Sequence, residues 1–187
     1  MTLNQPNCIT PGDARWFQRL RERLGNAAPG PLYTLGNLDL LALPKTGLFC
    51  SARCLGAAIL RAYDQAAHWR DTGRCIISGF HSPVEQECLR ILLRGTPPII
   101  LCPARSLPQR LPEDWRAPLA AGRLLILSAF TAAEKRVTTE LATRRNALVA
   151  ALADEVYFAH ITPGGQSERL THRLTVWSVP FSTREKG

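Results

Sequence analysis

Four short, almost wholly apolar segments recur along the chain with helical patterns between them: Cys75-Ile-Ile-Ser78, Pro98-Ile-Ile-Leu-Cys102, Arg123-Leu-Leu-Ile-Leu-Ser128 and Glu155-Val-Tyr-Phe-Ala-His160. A strand with one wet face alternates apolar and polar residues, whereas a strand covered on both faces does not. Thr46-Gly-Leu-Phe-Cys50 is a further segment of this kind near the front, and Leu174-Thr-Val-Trp-Ser-Val179 reads as another at the end. The alternation predicts a doubly wound α/β fold: a mostly parallel sheet of about six strands with helices on both faces. The connection over 162–172 is barely long enough for a right-handed crossover, so the sixth strand is free to pair either parallel or antiparallel with the fifth.

The helices carry start signals of their own. Ser82, Pro83 and Glu85 stand as N-cap, N1 and N3 of a helix over about 83–94, a capping box. Thr131 and Glu134 read as a second box, opening a helix over about 132–153. Further helical patterns cover about 54–70 and 113–121. Ahead of the alternation, Asp13 caps an amphipathic helix over 13–24. It puts Trp16, Phe17, Leu20 and Leu24 on one side, with Arg19, Arg21 and Arg23 around the other, and Gly25 ends it. Residues 26–45, punctuated by Pro29, Gly30, Pro31, Gly36 and Pro44, read as an irregular arm. The expected organisation is a helix and arm over 1–45, a sheet domain over 46–180 and a tail over 181–187. The 187 residues suit one such domain.

With 45% hydrophobic and 20% charged residues the chain is neither disordered nor fibrous. The formal charge is +8, and 20 of the 23 cationic side chains are arginine, the side chain suited to bidentate phosphate contact. The cations are dispersed without a Lys/Arg block, so any positive patch has to be assembled by folding. Six cysteines include no Cys-x-x-Cys pair and sit mostly in apolar runs, as small core residues do. His81, Glu85 and Cys88 have the helical spacing of metal ligands, but Glu85 is already accounted for as the capping-box acid. No metal and no cofactor are expected. The N-terminus has no basic-plus-apolar leader, and no run of about 18 apolar residues occurs. The expectation is a cytoplasmic protein with no membrane partner.

In open α/β sheets ligands bind outside the carboxyl ends of the strands. Here those ends read Cys50-Ser51-Ala52-Arg53, Ser78-Gly79-Phe80-His81, Cys102-Pro103-Ala104-Arg105, Ser128-Ala129 and His160-Ile161-Thr162-Pro163-Gly164-Gly165. Small and hydroxyl-bearing residues let a phosphate approach backbone N–H groups at helix N-termini, where the dipole favours an anion. On the long helix, Leu141, Leu148, Val149 and Leu152 define an apolar stripe, and Arg145 falls about 40° from Leu141, inside it. A charge there pairs, snorkels or reaches a cleft, unless the helix starts only near Thr143 and leaves it in an exposed first turn. Arg144 lies on the flank and Asn146 on another side.

Together these ends resemble the Rossmann-like domain of the DNA-processing protein A family (DprA, also called Smf). The family's Tyr, Gly-Asn/Asp, double Leu and Gly-Ser-Arg are matched by Tyr33, Gly36-Asn37, Leu40-Leu41 and Cys50-Ser51-Ala52-Arg53. Its Ser-Gly-x-Ala-x-Gly-Ile-Asp stretch is similar to Ser78-Gly79-Phe80-His81-Ser82-Pro83-Val84-Glu85. Its Arg-Asn-Arg helix is similar to Arg145-Asn146-Ala147 and the residues that follow, through Asp154. The register covers about residues 31–180. Departures are Ala147 for the second Arg, Pro83-Val84-Glu85 for Gly-Ile-Asp, and a small-residue stretch shortened to Gly164-Gly165-Gln166-Ser167.

The resemblance implies a non-enzymatic protein that binds single-stranded DNA at this rim and acts in DNA processing with a recombinase. Ser51 and Arg53, Ser78 and Gly79, and Arg145 and Asn146 would be the phosphate and backbone contacts. An apolar edge at the last strand would favour a homodimer. A second branch of the superfamily, the Lonely Guy type phosphoribohydrolases, offers an alternative. Its helix arginine and Pro-Gly-Gly loop are similar to Arg144 or Arg145 and to Pro163-Gly164-Gly165-Gln166-Ser167-Glu168. Position 171, where that family places its catalytic Glu, is Thr. A sensor of a small nucleotide at the same rim is the third reading.

Overall fold

The computed structural model describes residues 6–13, 15–51, 54 and 56–183. Arg53, Ala52 and the side chains of Trp16 and Phe17 lie outside the described residues. In chain order the elements are β1 (Asn7–Ile9), α1 (Arg15–Leu24), β2 (Leu32–Gly36), β3 (Lys45–Cys50), α2 (Gly56–Thr72), β4 (Cys75–Ser78), α3 (Pro83–Leu93), β5 (Ile99–Leu101), α4 (Glu113–Ala120), β6 (Leu124–Ser128), α5 (Thr139–Leu152), β7 (Glu155–His160), α6 (Gln166–Val176) and β8 (Phe181–Ser182). They form one eight-stranded sheet in the order β1-β2-β6-β5-β4-β3-β7-β8. All pairs from β6 to β8 are parallel, as the apolar runs require, and β1–β2 and β2–β6 are antiparallel.

Alternate residues of each central strand face opposite helical layers. Phe49, Ile77, Ile100, Leu125 and Phe158 pack with Leu20 of α1, Leu148 and Leu152 of α5 and Leu174 of α6. Leu48, Ile76, Ile99, Leu124 and Tyr157 pack with Ala62 and Trp69 of α2, Leu89 of α3 and Leu119 of α4. The sheet is thus buried on both faces. No helix among the described residues is long and apolar enough to cross a membrane.

The sheet has eight strands where about six were expected, because the N-terminal region supplies two, β1 ahead of α1 and β2 within the arm. Residues 32–36 pair antiparallel with β6, and Gly36 makes that approach possible: its φ is +113° and a Cβ there would overlap the carbonyl oxygen of Leu124. The expected sixth strand over 174–179 is instead the last three residues of α6 followed by a turn at 177–178. Leu170 and Leu174 are buried four residues apart, while Val176 points out at 81% exposure, so helical spacing prevails over the β-branched composition. The last strand comes after Pro180 and runs parallel to β7.

The Thr131–Glu134 box is also corrected. Glu134 accepts from the Thr131 N–H and hydroxyl and closes a turn, while α5 begins seven residues later with Thr138 as its cap. Arg19 and Arg23 do not simply face water. Arg23 caps the carbonyls of Ala151 and Ala153 at the end of α5, and Arg19 pairs with Asp154 at 2.8 Å, locking α1 to the domain.

Candidate functional site: the rim at the carboxyl ends of the strands

The chain leaves β3 toward β4 on one side and returns later to place β7 on the other, so the strand order reverses between β3 and β7. A crevice opens outside the carboxyl ends at such a point. Here the register shifts after Phe49: Phe49 pairs with Phe158 but Cys50 with His160. The irregularity ends the pairing and turns Ser51 toward β7. Ser51 N–H donates to His160 O, its Oγ accepts from Thr162 N–H at 3.0 Å, and it lies 3.0 Å from Ser167 Oγ of α6.

The Pro163-Gly164-Gly165 turn forms the other wall. Gly164 takes φ +71°, and Gly165 is the N-cap of α6, so no N-cap side chain bonds the first-turn N–H groups. Gln166 Nε2 donates to Thr143 Oγ1, tying this turn to α5. Ser51, Gly164 and Gly165, expected as site residues, are therefore brought together, with Ser167 beside them. Arg53 falls in the same β3–α2 connection and outside the described residues.

The next strand ends form a second, contiguous part of the rim. Glu85 is buried, and its carboxylate accepts from Cys50 N–H (2.8 Å), His81 N–H (2.8 Å) and Ser82 N–H (3.1 Å), while Ser82 Oγ accepts from Glu85 N–H. The predicted capping box thus does more than start α3, since its acid also anchors the end of β3. Ser78 is fully buried. Its Oγ donates to Leu48 O and accepts from Phe80 N–H, and Phe80 takes a left-handed φ of +45°. Ser128 repeats the device, donating to Arg105 O and accepting from Phe130 N–H. Ser78 lies under the rim, shaping it, with its hydroxyl used inside the fold.

Arg145 is 4% exposed. Its Nε donates to Asn146 Oδ1 at 2.7 Å and its Nη1 to Cys102 O at 3.2 Å. A Cβ on Gly79 would overlap the guanidinium, so the glycine is the flat surface on which the arginine lies. Burial pushes the Arg145 pKa down, and the Glu85 carboxylate opposes that. Burial also pushes the neighbouring Cys102 thiol up to about 12. One edge of the guanidinium reaches a cavity of about 490 Å³ lined by Gly79, His81, Pro103, Arg105 and Trp115. Arg144 is exposed and sits over the Phe130 ring, 5.3 Å from its centre.

Glu168, the acid the enzymatic alternative would need, folds back onto its own loop: Oε2 accepts from Gly164 N–H at 2.7 Å. Thr171 Oγ1 donates to Glu168 O. No group of acids, histidines and cysteines among the described residues is arranged to hold a metal ion. A cavity of about 900 Å³ lies at the opposite end of the sheet, but the two cations lining it, Arg19 and Lys45, are both already paired with Asp154.

Composition and spacing did not single out the joint role of Ser51 with Ser167, nor the second hydrogen bond of Glu85 to β3. Both depend on which strands become neighbours. The signal available was the reversal of strand order, which places the ends of β3 and β7 side by side.

Residues 7–162 match the model of the family described as DNA recombination-mediator protein A. Among solved structures the chain is similar to DNA processing protein A from Helicobacter pylori, whose structure was determined for its single-stranded DNA binding mode. The identity is 21% and the TM-score 0.73, over 95% of this chain and 80% of that one. It is also similar to DNA processing protein A (DprA) from Streptococcus pneumoniae, with 18% identity and a TM-score of 0.75, over 96% of this chain and 62% of that one. No curated protein matches the chain. With the family match spanning most of the sequence, and the fold shared with both solved relatives, the chain belongs to the DNA recombination-mediator protein A family.

Proposed function

We propose that this protein binds single-stranded DNA, without enzymatic turnover, along the rim at the carboxyl ends of β3, β4, β5 and β7, as a component of DNA processing. The observation that carries the reading is the convergence at the β3/β7 reversal of Ser51, the Gly164-Gly165 turn and the uncapped N-terminus of α6. Such a site offers backbone N–H groups to phosphates, and the helix dipole favours the anion. Arg53 on the same connection and Arg144 on the α5 flank supply cations. Arg145, Gly79, Ser78 and Asn146 hold the shape of the rim from below, as positioning residues.

Family membership and the subject of the Helicobacter pylori structure support the ligand class. A recombinase partner and a homodimer belong to the same proposal. Phe181 on the edge strand β8, 42% exposed, and Val176 at the end of α6 offer apolar surface for the second copy. A hydrolytic reading requires an acid free to stabilise positive charge on a ribose, and Glu168 is bonded to Gly164 N–H instead.

The test is binding of a fluorescent oligothymidylate at low salt by wild type, Arg53→Ala and Arg144→Ala. Each substitution removing a phosphate contact weakens affinity roughly uniformly across sequences. Absence of binding by the wild type, or full affinity in both variants, overturns the reading.

A further inference from the structure

A different part of the same rim carries a feature that the site above does not use. Strand β2 runs antiparallel to β6 and pairs Tyr33 with Ser128, so the start of β2 stands beside the carboxyl end of β6. Between β2, the 102–112 connection and the 129–138 connection lies a cleft of about 750 Å³, within the range of sites that hold a small ligand. Its walls are fixed: Ser106 N–H donates to Glu134 O at 2.9 Å, joining the two connections, and Ser128 Oγ holds Arg105 O.

The cleft is lined by Tyr33, Arg105, Arg110, Phe130 and Lys135, and by no acidic side chain among the described residues. Arg105, Arg110 and Lys135 are exposed, and none of them is in an ion pair among the described residues. Glu134, the nearest acid in sequence, has its carboxylate on the Thr131 N–H and hydroxyl. Three unneutralised cations around an open cleft with an aromatic wall match the two needs of a nucleotide in a single strand. The phosphate takes the cations, and the base takes the ring face, which is tolerant of sequence. Arg105 also lines the cavity beside Gly79 and Arg145, so the cleft continues the rim.

We propose that this cleft is a second contact site for single-stranded DNA, with a base against Tyr33 and the flanking phosphates on Arg105, Arg110 and Lys135, so that the strand runs from the β3/β7 crevice across to β2. The inference rests on the single-stranded DNA reading of the rim. It assigns the N-terminal arm a part in binding, since β2 supplies the ring.

The experiment measures affinity and its salt dependence for an oligothymidylate of roughly 20 nucleotides, long enough to span several contacts at roughly 4–16 nucleotides per site. Arg110→Ala/Lys135→Ala is compared with Tyr33→Leu, which keeps apolar bulk, and with Arg21→Ala/Arg94→Ala, a charge-matched control on exposed residues of α1 and the end of α3. Thermal unfolding checks that each variant is folded. Two lost phosphate contacts lower the slope of log K against log salt by about 1.4. Loss of the ring weakens binding by about 5-fold at least. The charge-matched control keeps the wild-type slope. If wild type binds, Arg53→Ala weakens it, and the two cleft variants match wild type, the second site is overturned and the first stands. If wild type does not bind, both are overturned.

Discussion

Substituting Gly79 by alanine attacks the rim at the point where two sequence features meet. The new Cβ would overlap Nη1 and Cζ of Arg145 and lie 2.6 Å from Nε. The backbone there cannot retreat easily, because Ser78 is held by Leu48 O and in turn holds Phe80 N–H. The arginine must therefore leave, giving up its bonds to Asn146 Oδ1 and Cys102 O. Hydrogen bonds to a charged group are worth about 1.5–3 kcal/mol each, and the displaced guanidinium regains water, so the loss is about 3 kcal/mol. Arg145→Ala forfeits the same two bonds and should cost a similar amount. The double variant has no clash left, so it should cost about as much as Arg145→Ala alone, with a coupling energy of about 3 kcal/mol. Urea unfolding of the four proteins, with midpoints and slopes, measures the cycle. For a chain of this size the single variants should lose roughly 6–12 °C in Tm. Additivity within about 0.5 kcal/mol would refute the claim that the glycine is required by the arginine.

Four further outcomes follow from the same geometry. Glu168→Gln removes a negative charge from the entrance of α6 and should tighten single-stranded DNA binding about 2–5-fold at low salt, read by anisotropy; unchanged affinity would remove α6 from the site. Ser82→Ala should cost about 1 kcal/mol of stability in urea by loss of the α3 cap, with no change in the salt slope of binding. Burial raises the Asp154 pKa, but the Lys45 N–H bond and the charges of Lys45 and Arg19 more than offset it and hold the carboxyl below its ordinary value. Its stabilising effect is therefore present at neutral pH and lost as pH falls below about 3.8. Asp154→Asn should be less stable than wild type at pH 7 by about 2 kcal/mol, and the difference should shrink in acid; a pH-independent gap would contradict this. Burial also pushes the Cys75, Cys88 and Cys102 thiols up to about 11, 12 and 12. A thiol-labelling reagent at neutral pH should modify exposed Cys8 rapidly and these three only after unfolding.

The layered fold was legible because its strands are covered on both faces: uninterrupted apolar runs such as Ile99–Leu101 and Leu124–Ser128 leave little choice but a parallel sheet between helices. The capping box at Ser82 was legible for a similar reason, being a local pattern with a local consequence. Thr131–Glu134 shows the limit of such patterns, since the same four-residue spacing closes a free-standing turn when the residues after it do not continue the helix. Strand β2 was hidden because its partner β6 lies 89–95 residues further along the chain and the glycines and prolines around it look like loop punctuation. Long-range pairing with β6, permitted by Gly36, overrode them.

The candidate site was legible as a set of strand ends and less so as a set of roles. Arg145 inside an apolar stripe correctly marked a charge that the fold had to accommodate, but the accommodation is the bare face of Gly79 and the carbonyl of Cys102. Ser78 and Ser51 carry the same hydroxyl at equivalent strand ends. Only neighbouring strands decide that the first is sealed beneath the rim while the second stands at the crevice with Ser167. The cleft at Tyr33 depends on three separate segments and on an antiparallel pairing, none of which is a sequence pattern.

The measurement that tests the central claim most directly is the affinity of the wild-type protein for a labelled oligothymidylate as a function of salt. A rim that holds phosphates predicts tight binding at low salt, and log K falling linearly with log salt at about 0.7 per phosphate neutralised, hence a slope steeper than about −2 for three or more contacts. No binding at low salt, or binding whose strength is independent of salt, would contradict it.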